Sequence, residues 1–129
     1  MAKQEHFGRQ MMLRYILMSK LHRGTVTECD LNYNGSIKID EALLEACGMR
    51  EFEKVEIFNI TNGNRFSTYI ILGEKGSGEI SINGAAARLV QVGDKIIVIN
   101  YGILDESEMQ VHKPTIVVLN NANQVDRII

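Results

Sequence analysis

The chain has 129 residues, is 45% hydrophobic and 23% charged, and carries 14 basic against 16 acidic residues, a net charge of −2. That length suits one domain with a real core, and the charge balance excludes a general nucleic-acid or anionic-membrane surface. Two cysteines, Cys29 and Cys47, are too few for a disulfide framework.

Neither cysteine has a CxxC partner or a neighbouring His, so both read as small packing residues in a reduced, cytoplasmic setting. Residues 1–10 are mostly polar and carry no signal-peptide pattern. The apolar stretch Met11–Met18 is interrupted by Arg14 and closed by Lys20, too short and too charged to span a bilayer. Met12 to Thr27 is rich in Leu, Ile, Tyr and Met and is predicted as strand, one or two, with a break near Arg23-Gly24. An amphipathic helix over Met11–Leu21 is the rival, because Met12, Tyr15, Ile16 and Ser19 would share a face.

Tyr33-Asn34-Gly35-Ser36-Ile37 follows. Asn-Gly is a strong hairpin signal, with polar–apolar alternation on both sides in Thr25-Val26-Thr27 and Ile37-Lys38-Ile39. The same pentapeptide also fits self-cleavage. A Ser hydroxyl can attack the preceding Gly carbonyl and turn the amide into an ester. Elimination and hydrolysis then leave a pyruvoyl group. Glycine suits this chemistry because it admits strain and leaves its carbonyl open.

Asp40 is placed to cap a helix over Glu41–Cys47, with Leu43, Leu44 and Cys47 on one stripe and Gly48 as the C′ stop. Strands are predicted over Glu53–Ile60 and Phe66–Leu72 around the turn Thr61-Asn62-Gly63-Asn64. The loop Gly73–Gly78 has no Gly-Lys-Ser/Thr continuation, so a phosphate loop is excluded. A strand over Glu79–Ile82 leads to a helical turn at Asn83–Ala87, capped by Asn83. Further strands cover Lys95–Tyr101 and Thr115–Leu119, separated by a polar or helical linker at Asp105–Met109, and Asn120–Ile129 reads as a tail. Short, evenly punctuated strands suggest a small closed or nearly closed barrel. His6, His22 and His112 lack metal-ligand spacing, so no metal is expected.

Several separated motifs share an order. They are Lys20-Leu21-His22-Arg23, Thr25-Val26-Thr27, Asp30-Leu31, Tyr33–Ile37, Asn59–Tyr69, Ser81–Ala87 and Val92-Gly93-Asp94. Together they resemble the bacterial aspartate 1-decarboxylase family, pyruvoyl enzymes that make β-alanine for pantothenate. The resemblance runs from about Met12 to Pro114, leaving residues 1–11 as an N-terminal extension expected to be poorly ordered.

The resemblance implies a mainly β double-psi barrel with one short helix after the Gly-Ser turn. It implies self-cleavage into chains 1–35 and 36–129, and a covalent pyruvoyl cofactor from Ser36 that forms a Schiff base with L-aspartate. It implies a homotetramer with sites between subunits, and neither nucleic acid nor membrane as partner. Residue by residue, it assigns Ser36 and Tyr69 to catalysis, Tyr69 as proton donor. Lys20, Arg65, Thr68, Gly84, Ala85 and Ala86 go to substrate binding, and Tyr33, Gly35, Ser36, Thr68 and Asn83 to processing. Arg65 and Lys20 suit the two carboxylates of aspartate; which cation takes which is left open. Each residue also has an ordinary reading: Arg65 and Lys20 as solvated strand ends, Thr68 and Tyr69 as β-formers, Asn83 as a cap. Thr68 and Tyr69 point to opposite faces of a regular strand. For both to serve, the strand must bulge, or the two must serve different subunits' sites, or one must act through its backbone. The competing functional readings are a small β-barrel binding module that never cleaves, and the same chemistry on another amino acid.

Overall fold

A computed structural model describes residues 12–129, so the extension expected over residues 1–11 lies outside the described residues. The elements in order are β1 (Arg14–Thr25), β2 (Glu28–Asp30), β3 (Ser36–Asp40), α1 (Glu41–Cys47), β4 (Lys54–Asn59), β5 (Arg65–Gly73), β6 (Ile80–Asn83), a 3-10 helix (Gly84–Leu89), β7 (Lys95–Leu104), α2 (Glu106–Val111), β8 (Thr115–Leu119) and β9 (Val125–Ile128). The strands form one mixed sheet in the order β2-β6-β3-β5-β4-β7-β1-β8-β9. Three pairs are parallel: β1 with β8, β2 with β6, and β3 with β5. Parallel neighbours need crossovers rather than hairpins, and these crossovers give the mainly β fold its double-psi barrel character. No hydrogen bonds close the sheet between β2 and β9 among the described residues.

The fold follows from β-branched side chains recurring at every second position. Leu21, Ile37, Ile39, Val55, Ile57, Ile70, Ile80, Ile82, Ile96, Val98 and Val117 are each 1% exposed or less and make one core. Alternation sends their neighbours outward. Leu43 and Leu44 of α1 cover one end of this core. Asp40 caps α1 by accepting the Ala42 N–H, and Gly48 stops it in the left-handed region at φ +81, as the residue types predict. No helix among the described residues is long and apolar enough to cross a membrane.

The strand predicted over Met12–Thr27 is borne out against its rival helix: β1 is paired along both edges, with β7 and β8. Other expectations change. The break near Arg23 is a bulge within this strand: register shifts between His22 and Gly24, and Arg23 takes φ +68. Asn34-Gly35 does not close a hairpin. β2 and β3 lie on opposite edges of β6 and never pair, and neither Asn34 nor Gly35 has positive φ. Local turn chemistry lost here to β6, which inserts between the two segments.

The expected tail is built into the sheet. β9 pairs with β8, and Asn123, 3% exposed, donates to the Thr25 and Gly78 carbonyls and accepts the Thr25 N–H. The Asp105–Met109 linker resolves as α2 with a capping box between Asp105 and Glu108.

Asp40 gathers more than its cap. Its carboxylate also accepts the Gly76 and Gly78 N–H groups, each at 2.8 Å, while the residue is 3% exposed. Asp40→Ala is therefore expected to lower unfolding free energy by about 2–4 kcal/mol, since three backbone donors lose a charged acceptor at once. Urea unfolding at fixed protein concentration checks this; a loss under about 0.5 kcal/mol would mean water replaces the carboxylate freely.

Candidate active site around the Gly35–Ser36 bond

β3 begins at Ser36, and its first partner on β6 is Asn83. This pairing puts two polar side chains on the same side of adjacent strands. Asn83 Nδ2 donates to Ser36 Oγ at 3.1 Å, and Ser36 Oγ donates to the Asn34 carbonyl at 3.1 Å. Both residues are buried, Ser36 at 1% and Asn83 at 5% exposure. The expected N-cap role of Asn83 is thereby corrected. Asn83 occupies the position before the 3-10 helix, but its side chain makes no cap bond and is committed to Ser36 instead.

Gly84 follows with φ +77, a backbone region that side chains disfavour. Space forbids a side chain there as well. A Cβ on Gly84 would stand 2.6 Å from Gly35 Cα, 2.9 Å from Gly35 N and 3.4 Å from the Tyr33 carbonyl. The Tyr33–Gly35 turn thus rests directly on the start of the 3-10 helix. Nothing stands within 4 Å of the Cβ position of Gly35 itself. The Gly35–Ser36 bond has a buried hydroxyl on one side and open approach on the other.

β5 supplies the neighbouring edge. Its parallel register with β3 starts at Ile37 opposite Ile70. Gly35 and Ser36 lie just before that first pair on one chain segment, as Thr68 and Tyr69 do on the other. β5 has no bulge in either of its pairings. That removes the bulge as a way for Thr68 and Tyr69 to share a face. Thr68 is half-buried on the side of Ile70, and Tyr69 is 38% exposed on the opposite side. Ala85 is exposed and Ala86 half-buried on the 3-10 helix.

Two of the expected residues are not gathered here. Arg65 opens β5, four residues before Tyr69, which is about 13 Å along a strand. Its guanidinium stacks on the Phe58 ring, 4.2 Å from the centroid. Lys20 lies further off, in the cross-strand row Lys20–Ile99–Glu56–Ser67. Arg65, Phe58, Ile97 and His22 form the next row on the same outer face. Beside Arg65 this face carries a cavity of about 720 Å3, bordered by Tyr15, Lys54, Glu56, Phe58, Tyr101 and Ile103. Tyr15, Tyr101 and Ile103 are exposed at its rim.

The electrostatics are mild. Partial burial, then Arg23 and Lys20, lower the pKa of His22, which favours its neutral ring. Burial raises the pKa of the Cys47 thiol, which keeps it protonated and unreactive and fits a packing role. Among the described residues no group of His, Cys, Asp and Glu is arranged to hold a metal ion.

Sequence reasoning missed one polar assembly. Asn59 and Asp94, both buried, bond to each other at 2.8 Å and tie the β4–β5 connection to the end of the 3-10 helix. The only available signal was the density of asparagine at 59, 62 and 64, which a turn alone does not require.

The aspartate decarboxylase family model matches residues 12–126. An aspartate 1-decarboxylase of Bordetella avium is 57% identical over 117 residues, covering 91% of this chain and 96% of its own length. Those of Bordetella pertussis and Ralstonia nicotianae are each 56% identical over 117 residues, with 96% and 98% of their own lengths covered. The matched span contains the Gly35–Ser36 bond and every strand that surrounds it, and the chain belongs to the aspartate decarboxylase family.

Proposed function

We propose that the chain cleaves itself between Gly35 and Ser36 and then decarboxylates L-aspartate to β-alanine and CO2, the β-alanine going to pantothenate synthesis. The carrying observation is the hydrogen-bonded Ser36 Oγ, held by Asn83 beside an open Gly35 whose turn rests on Gly84.

In the first step Ser36 Oγ bonds to the Gly35 carbonyl carbon and the C–N bond breaks, leaving an ester and a free Ser36 amine. Loss of the Ser36 α-proton and breakage of the Cβ–Oγ bond release Gly35 as a carboxylate and leave a dehydroalanine. Water then enters, ammonia leaves, and a pyruvoyl group remains. The Asn83 N–H is aimed at the oxygen on which negative charge grows during the elimination, where a fixed donor contributes most. We assign Thr68, on the neighbouring strand β5, to steadying the Gly35 carbonyl, and Tyr33, whose carbonyl lies close to Gly84, to fixing the turn.

The residues present fit a pyruvoyl group. Ser36 supplies its carbon framework, and the Gly35 side of the bond is open to a substrate. When formed, the group provides an electron sink for loss of CO2. The chain's own side chains bind and protonate. The backbone at Gly84, Ala85 and Ala86 meets the substrate beside Ser36. Tyr69, just before Ile70 on the adjacent strand, delivers the proton to the substrate α-carbon, because no His lies in this cluster.

Arg65 and Lys20 bind carboxylates from the outer face. Since Arg65 is directed onto Phe58 and lies far from Ser36 along β5, we assign it to the site of a neighbouring subunit. The exposed apolar rim of Tyr15, Tyr101 and Ile103 supports burial of this face in a homotetramer. A cytoplasmic location fits the free cysteines.

Intact mass is the direct test. Fresh wild-type chain should divide into 1–35 and 36–129, the second with a blocked N-terminus, while Ser36→Ala should fold and stay whole. Cleavage of Ser36→Ala would remove the mechanism. Incubation with a panel of amino acids should release CO2 from aspartate; release from another acid alone would reassign the substrate.

Arg65→Ala should still be cleaved but should lose about ten- to a hundredfold in kcat/KM for aspartate, the loss of a charge-assisted pair. Unchanged kinetics would return Arg65 to a surface role.

Tyr69→Phe keeps the ring and the strand, so cleavage should persist while kcat falls by about 10²–10⁴. Near wild-type turnover of the processed variant would rule Tyr69 out as donor.

A further inference from the structure

At the end of the 3-10 helix far from Gly35, three carboxamides converge on one carbonyl. Asn62 Nδ2 and Asn64 Nδ2 each donate to Leu89 O at 3.1 Å, and Asn59 Nδ2 adds a longer bond of 3.4 Å. All three sit on or beside the connection that leads from β4 into Arg65. Asn59 Nδ2 is shared with Asp94 Oδ2, which also accepts the Gln91 N–H. The residues that follow the helix are therefore tied to the same base.

The turn does not need these donors. Its own geometry uses side-chain oxygens: Asn62 Oδ1 accepts the Asn64 N–H, and Asn59 Oδ1 accepts the Thr61 and Asn62 N–H groups. Aspartate would serve those bonds as well as asparagine. The amide N–H groups are surplus to the turn, and all three reach Leu89. Leu89 O is also one of the carbonyls that a helix end leaves without an internal partner. The opposite end of this helix is Gly84, pressed on Gly35, with Asn83 bonded to Ser36. Six residues of 3-10 helix span only about 12 Å, so holding one end sets where the other lies.

We propose that Asn62 and Asn64, backed by Asn59, are positioning residues that clamp the 3-10 helix. The clamp keeps Gly84 against the Gly35–Ser36 bond and joins that segment to the strand end bearing Arg65. Its functional consequence rests on the self-cleavage reading; the clamp itself does not.

The test is the double variant Asn62→Asp with Asn64→Asp. It keeps the oxygen each turn bond uses and replaces both donors with acceptors facing Leu89 O. Amide hydrogen exchange of the full chain, read by mass spectrometry, should accelerate at least about tenfold over residues 84–91 while β4 and β5 stay protected. Cleavage at Gly35–Ser36 should slow by about ten- to a hundredfold, the usual consequence of misplacing reacting groups by about an ångström. Processed enzyme should show a raised KM for aspartate with a smaller change in kcat. Unchanged exchange over 84–91 would overturn the clamp. Faster exchange with wild-type cleavage and KM would make it structural only, which also overturns the proposal. A wild-type chain that never divides would instead defeat the self-cleavage reading and the functional consequence with it, and the exchange result would still decide whether the clamp exists.

Discussion

Everything around the Gly35–Ser36 bond depends on the insertion of β6 between β2 and β3. One edge of β6 takes β2 in parallel and the other takes β3 antiparallel, so the Tyr33–Gly35 turn must cross the end of β6. That crossing sets Ser36 opposite Asn83 and lays the turn on Gly84, the one residue type that fits there by both space and φ. For the proposed self-cleavage, the Gly35–Ser36 bond needs surroundings that hold it more firmly than its own chain does. Here two strands and a 3-10 helix supply them, and the serine hydroxyl is bonded on both its donor and acceptor sides.

The fold holds its irregular segments with side chains that imitate backbone. Asp40 takes three N–H groups from the first turn of α1 and the β5–β6 loop, Asn123 replaces a missing strand partner for Thr25, and Asn59 with Asp94 closes the space behind the 3-10 helix. No buried side-chain nitrogen or oxygen among the described residues lacks a partner. Unpaired groups there would each cost about 1–3 kcal/mol, so full satisfaction is what lets so many loops pack against so small a core.

The proposed function divides its chemistry between two surfaces. Self-cleavage would draw on groups of one chain: Ser36, Asn83, Gly84 and Thr68 on the β5 edge. The proposed recognition of carboxylates would draw on cations of the outer face, where Arg65 is stacked and Lys20 sits in the neighbouring row of side chains. Apolar neighbours around Arg65 lower the local dielectric once covered, which strengthens a guanidinium–carboxylate pair.

Local composition was enough to determine the β character, the limits of most of the longer strands within a residue or two, and the capped helix from Asp40 to Gly48. Period-two apolar spacing and cap residues act within a few positions, so they are legible one segment at a time. The resemblance carried by the ordered motifs from Lys20 to Asp94 added the family, which no single segment announces. Tertiary structure alone decided that Asn34-Gly35 is not a hairpin, that Asn83 serves Ser36 rather than its own helix, that residues 120–129 end in a strand, and that Thr68 and Tyr69 face apart without a bulge. Each of these turns on which strand lies beside which. Strand partnership links residues up to about a hundred positions apart, as Ser19 and Thr115 are, and it is set by the whole core packing at once, so no local stretch of sequence encodes it.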